Sequence, residues 1–180
     1  VMALVGPQGC GKSHLAAIWA ERSGARFASM RELDDTQVPS VLATGALVIE
    51  EFSEGAFDEA ALFHLLNLAQ QDGASMLLTA RTPPAGWNIG LADLASRLRA
   101  IPVVTLTSPD EALLRAVIVK LFADRQLAVD ESLVAYLVAR TERSLPALRS
   151  AVDRLDREAM RQKRPVNRAL AAELYRDTLR

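Results

Sequence analysis

One cysteine, Cys10, and two histidines, His14 and His64, are all the cysteine and histidine that this 180-residue chain offers a metal. No internal disulfide can form, and a structural zinc site lacks the donors it needs. No apolar run approaches the length of a bilayer-spanning helix, and the N-terminus lacks the basic, apolar and small-residue order of a secretory signal. A soluble cytoplasmic protein is expected. Aromatic residues make up only 5% of the chain and hydrophobic residues 50%, enough for one ordinary α/β core and a small helical satellite. The formal net charge of −1 excludes a chain coated all over for nucleic acid. Charge is unevenly spread, however: Arg140 to Arg168 carries nine basic side chains against four acidic ones. A solvated helix face is the ordinary meaning of such a run, with a DNA or partner surface as the alternative.

What is present begins at the sixth residue. Gly6-Pro7-Gln8-Gly9-Cys10-Gly11-Lys12-Ser13 follows the apolar run Met2 to Val5 and precedes the amphipathic stretch Leu15 to Ala20. That strand, glycine loop and helix order is the context of a phosphate loop. Glycines let backbone N–H groups turn inward around phosphate oxygens, and the helix N-terminus adds its partial positive charge. Lys12 supplies a point charge, and the Ser13 hydroxyl is placed to coordinate Mg²⁺. The residues assigned to ATP or ADP are Gly6, Pro7, Gly9, Cys10, Gly11, Lys12, Ser13 and His14. Cys10 reads as a small filler rather than a redox group.

Further along, Arg26–Met30, Ala46–Glu51, Ser75–Ala80 and Pro102–Leu106 read as strands, and Ala56–Gln71 and Leu91–Leu98 as helices between them. Such alternation predicts a parallel sheet with helices on both faces and ligands at the strands' carboxyl ends. Glu50 and Glu51 end an apolar strand. Such a pair can hold Mg²⁺ through the first acid, Glu50, and orient or deprotonate water through the second, Glu51, though acids are also common at exposed strand ends. Thr79 would then sit beside the terminal phosphate as a polar sensor, unless it is simply a strand former. From residue 107 the pattern turns entirely helical. Ser108 to Glu111 reads as a capping box with Pro109 at the first helical position, its helix placing Leu113, Leu114, Val117, Ile118 and Leu121 on one face. Asp130, Ser144 and Asn167 are candidate caps for three more helices. The expected domains are a core over 1–106 and an all-helical lid over 107–180.

The phosphate loop, the acidic strand, Leu77 to Pro84 and above all Gly90-Leu91-Ala92-Asp93-Leu94-Ala95-Ser96-Arg97-Leu98 resemble the DnaA/Hda family of AAA+ ATPases, over almost the whole chain. The resemblance implies a five-stranded parallel sheet between helices and a helical lid. It also implies that Arg97 is an arginine finger acting in trans on a neighbour's nucleotide, the alternative being an intramolecular ion pair with Asp93 at i−4. The family normally begins its acid pair with aspartate, so weak or no intrinsic hydrolysis is expected here. Pro146 stands where the family's lid carries a sensor arginine, which leaves the preference between ATP and ADP open. The implied function is a regulator that promotes hydrolysis of ATP bound to the initiator DnaA, or alternatively a self-contained replication ATPase. Implied partners are the initiator, a sliding clamp bound through a peptide upstream of Val1, and a second copy of the chain. Neither a membrane nor sequence-specific DNA is an expected partner.

Overall fold

Short aliphatic runs bounded by glycine or polar residues become strands, and longer stretches with apolar side chains every three or four residues become the helices between them. The computed structural model describes residues 1–30, 37–55 and 57–176. They form two compact units, Val1–Thr107 and Ser108–Arg180.

The first unit runs β1 (Met2–Val5), α1 (Lys12–Ser23), β2 (Arg26–Ala28), α2 (Val38–Val41), β3 (Ala46–Phe52), α3 (Glu59–Gln71), β4 (Ser75–Ala80), α4 (Ala92–Ala100) and β5 (Val103–Thr105). All pairings are parallel, in the order β2-β3-β4-β1-β5. Parallel neighbours need crossovers, and helices fill both faces. On one face α1 packs Ala16 and Ala20 against Leu4, Val48 and Leu77. On the other, Leu62, Leu65 and Leu66 of α3 and Leu94 and Leu98 of α4 cover Val5, Leu47, Ile49 and Leu78. β1 lies between β4 and β5, and the loop leaving its carboxyl end sits where chain connections diverge, the usual ligand crevice of such sheets.

Several boundaries differ from those read off the sequence. β2 stops at Ala28; Met30 is still buried, but its backbone has left the ladder. β3 continues to Phe52, because one extra residue is accommodated between the pairs Ile49–Leu78 and Phe52–Ala80. That is a bulge. α3 begins at Glu59, where the Asp58 carboxylate accepts the N–H groups of Ala60 at 2.7 Å and Ala61 at 3.0 Å; Ala56 lies outside the described residues. Two donors on one carboxylate make this a strong cap. Asp58→Ala is expected to destabilise the unit by about 1–2 kcal/mol, seen as a lower urea midpoint.

The second unit comprises α5 (Glu111–Ala123), α6 (Glu131–Arg140), α7 (Leu145–Gln162) and α8 (Arg168–Arg176). Asp130, Ser144 and Asn167 cap α6, α7 and α8 as their positions suggest. α5 is capped by Asp110, not Ser108: its carboxylate takes the Leu113 N–H at 2.8 Å, and Pro109 precedes the cap instead of opening the helix. Val117 and Leu121 pack against the core of this unit, as expected. Leu114, Ile118 and Phe122 are buried, while Leu113 is 46% exposed. Around them Leu133, Leu137, Leu148, Val152, Leu155 and Leu170 close a separate core. Part of the basic run is neutralised within this unit, Arg161 by Glu158 and Arg164 by Glu173, while Arg140 and Arg168 lie over the Tyr136 ring. Among the described residues no helix is long and apolar enough to cross a membrane.

Candidate functional site

β1 and β4 hold the glycine loop from below. Val5 pairs with Ala80, and the Gly6 N–H reaches the Ala80 carbonyl at 3.2 Å. Gly6, Gly9 and Gly11 have φ of 154°, 79° and 107°, so the loop turns through backbone conformations that residues with a Cβ rarely adopt. At Gly6 there is also no room: a Cβ would stand 2.4 Å from the Leu106 carbonyl oxygen.

The loop delivers the chain into α1 through Gly11, and no side chain caps that helix. α3, α5, α6, α7 and α8 all receive a carboxylate, hydroxyl or amide at this position. The first N–H groups of α1 are thus left for an anion, the arrangement that suits phosphate. Lys12 opens this helix, and its ammonium folds back over the loop. Nζ donates to the carbonyls of Gly6 at 2.7 Å and Pro7 at 2.8 Å and lies 3.9 Å from the Cys10 sulfur. Cys10 is buried and free, while Ser13 and His14 are exposed in the first turn.

Beside the loop, toward β2 and β3, lies a cavity of about 460 Å³ lined by Ser13, Ala28, Glu50, Glu51, Phe52 and Phe57 among others. The Oε1 atom of Glu50, one of these lining residues, is buried and has no hydrogen-bond partner. A buried carboxylate oxygen without a donor is costly unless a cation or water meets it. The Ser13 hydroxyl lines the same space. Hydroxyl and carboxylate oxygens are hard donors suited to Mg²⁺, which typically takes one or two protein ligands together with phosphate and water. The donor set therefore fits that ion. Among the described residues no cluster of three or more His, Cys, Asp or Glu side chains forms an all-protein metal cage.

Glu51 sits in the β3 bulge with φ of 53°, a left-handed backbone unusual for a glutamate. Its N–H donates to the Thr79 hydroxyl at 3.1 Å. Thr79 is only 2% exposed, pairs with Leu4 across β1, and so braces the bulge that presents Glu51. The aromatic trio of Phe52, Phe57 and Trp87 packs the segments following β3 and β4 together, with Phe52 4.8 Å from Phe57 and 4.7 Å from Trp87.

Arg97 belongs to a different part of the unit. It lies on α4, on the face of the sheet opposite α1, and reaches the last turn of α3, where Nη1 donates to the Gln70 Oε1 atom at 2.8 Å. Its guanidinium also lies 5.4 Å from the centre of the Phe63 ring. No ion pair to Asp93 forms, so the intramolecular i−4 alternative fails; the neighbours are a neutral amide and a ring. Gln70 precedes β4 and Arg97 precedes β5, which places this contact toward the amino-terminal edge of the sheet. The glycine loop occupies the carboxyl edge.

Gln70 and Phe63 were not legible as partners of Arg97, because a contact between helices separated by a whole strand leaves no local spacing. No sequence motif singles out Arg81. It follows β4 directly, and its Nη2 donates to the Gln8 side-chain oxygen at 3.2 Å. A cation placed just after a strand that flanks the glycine loop was the available signal.

No protein-family model matches the sequence, and no curated protein sequence matches it. Solved structures do. Domain III of the Thermotoga maritima replication initiation protein DnaA is similar with a TM-score of 0.76 and 18% identity, over 98% of this chain and 83% of that one. The T. maritima RuvB Holliday junction branch migration motor gives 0.75 and 18%, over 96% of this chain and 59% of that one. AMPPCP-bound DnaA from Aquifex aeolicus gives 0.66 and 17%, over 86% of this chain and 55% of that one. The chain thus spans little more than half the length of the last two. With its parallel five-stranded sheet, its glycine loop at the carboxyl end of β1 and these likenesses, the chain has the fold of the AAA+ P-loop ATPases.

Proposed function

We propose that this chain is an Hda-like AAA+ regulator of replication initiation, which binds ATP or ADP with Mg²⁺ and stimulates hydrolysis of ATP held by the initiator DnaA. The observation that carries the reading is the setting of Arg97. Its charge is held by Gln70 and Phe63 rather than by a carboxylate, so transfer to an incoming phosphate breaks no ion pair. It also lies across the sheet from α1, so phosphate chemistry by Arg97 belongs to a neighbour's nucleotide. A guanidinium fork spreads over the transition-state oxygens and supplies about 10³ to 10⁵ in rate.

In this reading the chain's own nucleotide sets the geometry of docking, and turnover happens in the partner. A sliding clamp, engaged through a peptide upstream of Val1, brings the regulator to the initiator, and a second copy of the chain is a further partner. The test adds the full-length protein and clamp-loaded DNA to ATP-bound initiator and follows ADP formation. Acceleration is expected; an unchanged rate removes the reading.

One observation favours a second reading, a self-contained ATPase. The left-handed backbone at Glu51, braced by Thr79, is the kind of local strain that collects at catalytic positions. Under that reading the isolated chain turns over ATP, and Glu51→Gln lowers the rate by about 10² or more while leaving affinity intact. Under the regulatory reading, Glu51→Gln leaves partner stimulation unchanged. Measuring both activities on the one variant separates the two.

A further inference from the structure

Arg97 is carried by α4, and one face of α3 supports that helix. Glu59, Phe63, Leu66 and Gln70 follow one another at steps of four, three and four residues, which aligns them in a single stripe along α3. Leu66 is buried in the same apolar cluster as Leu94 and Leu98 of α4. Phe63 and Gln70 meet the Arg97 guanidinium. Glu59, at the far end of the stripe, meets the entrance of α4: its Oε1 atom accepts the Gly90 N–H at 3.0 Å and its Oε2 atom the Leu91 N–H at 2.7 Å.

These two bonds supply what α4 lacks. Leu91 occupies its N-cap position, and no side chain caps the helix locally. The half-buried carboxylate takes two N–H groups at once and sets a negative charge beside the positive end of the helix, so both bonds are charge-assisted. Its own base is firm, because Asp58 caps the first turn of α3 with two further bonds. Burial of Leu94 and Leu98 is non-directional and by itself leaves a short helix free to slide or turn slightly. A bidentate anchor is directional and removes that freedom. Arg97 stands about 9 Å along the axis from Leu91, so a tilt at the entrance reaches the guanidinium. Glu54 adds a weaker tether, an exposed carboxylate that accepts the Asn88 N–H at 2.8 Å.

We propose that Glu59 is a positioning residue for the arginine finger, fixing through the Gly90 and Leu91 N–H groups the register in which α4 presents Arg97 to a neighbour's nucleotide. The inference rests on the finger reading above. Misplacing a reacting group by about 1 Å is enough to cost up to about 10²-fold in rate.

The test titrates ATP-bound initiator with the full-length protein in the presence of clamp-loaded DNA, and reads the maximal rate of ADP formation separately from the half-saturating concentration. The parent is compared with Glu59→Ala, Glu59→Gln, Gly24→Ala and Arg97→Ala, with melting curves on each and calorimetry with Mg²⁺-AMPPCP. Glu59→Ala is expected to lower the maximal rate about tenfold or more, with the half-saturating concentration and the AMPPCP affinity changed by less than about twofold. Glu59→Gln should fall between, since its amide keeps one accepting oxygen. Gly24→Ala strains a left-handed backbone after α1, on the face of the sheet away from α3 and α4, and should stimulate as the parent does. A parental maximal rate in a folded Glu59→Ala variant, a loss confined to the half-saturating concentration, or equal losses in Glu59→Ala and Gly24→Ala overturns the assignment. Should Glu59→Ala not fold, Glu59→Gln decides, and a maximal rate equal to the parent's overturns it. If the parent gives no acceleration, or Arg97→Ala accelerates as the parent does, the finger reading falls and takes this one with it. If Arg97→Ala is inert while Glu59→Ala matches the parent, only the present inference is lost.

Discussion

Arg97→Ala is expected to lower partner-stimulated ATP hydrolysis by about 10³-fold or more while leaving the chain's own nucleotide affinity unchanged. The separation of the two effects is the point of the experiment. Arg97 lies on the face of the sheet away from α1, and none of its contacts involves the glycine loop. Its loss should cost the fold little: one half-exposed ring contact and one exposed hydrogen bond, together about 1 kcal/mol. Arg97→Lys should recover only a fraction of the stimulation, because an ammonium cannot bridge two oxygens in one plane. A single-turnover assay on initiator-bound ATP reads the rate, and calorimetry on the variant alone reads the affinity. Should the alanine variant stimulate as well as its parent, the finger mechanism is wrong, whatever the chain's nucleotide does.

Gly6→Ala is expected to damage the cradle far more than Gly24→Ala. The added Cβ would approach the Leu106 carbonyl oxygen to 2.4 Å and the Cys10 sulfur to 3.0 Å, at a φ of 154°. Leu106 cannot readily yield, because its N–H donates to the Val5 carbonyl at 2.7 Å and ties the chain after β5 to β1. Either β1 and the end of β5 separate, or the loop rotates away from the geometry that points its N–H groups inward. The first costs stability, about 3 kcal/mol by analogy with overpacked and strained sites. The second costs affinity, at least tenfold. Gly24→Ala is the control, since a Cβ there meets nothing within 4 Å and only the left-handed backbone, φ 70°, resists it by about 1 kcal/mol. Equal melting temperatures and affinities for the Gly6→Ala variant and its parent would show that the loop is not held as described.

Local rules made much of this legible in one dimension. The glycine loop needs its residues at fixed spacing along a single turn, so Gly6 to Ser13 announced itself. The caps of α6, α7 and α8 were equally readable, because a side chain and the N–H three residues on are neighbours in any helix. The same rule misfired at Ser108, where Asp110, two residues later, accepts the Leu113 N–H instead. The strands of the parallel sheet were visible as apolar runs.

By itself, then, the sequence determined the alternation of strands and helices, the phosphate loop and the residue types available around it, since these depend on neighbours within a turn or a strand. Tertiary structure alone decided which of those residues meet. It placed the bulge that turns Glu51 left-handed under Thr79, left the Glu50 oxygen without a donor, set Arg97 against Gln70 and Phe63 instead of Asp93, and brought Arg81 to Gln8. Each of these depends on side chains brought together from different elements, and the register and order of the strands, not any local spacing, fix such encounters.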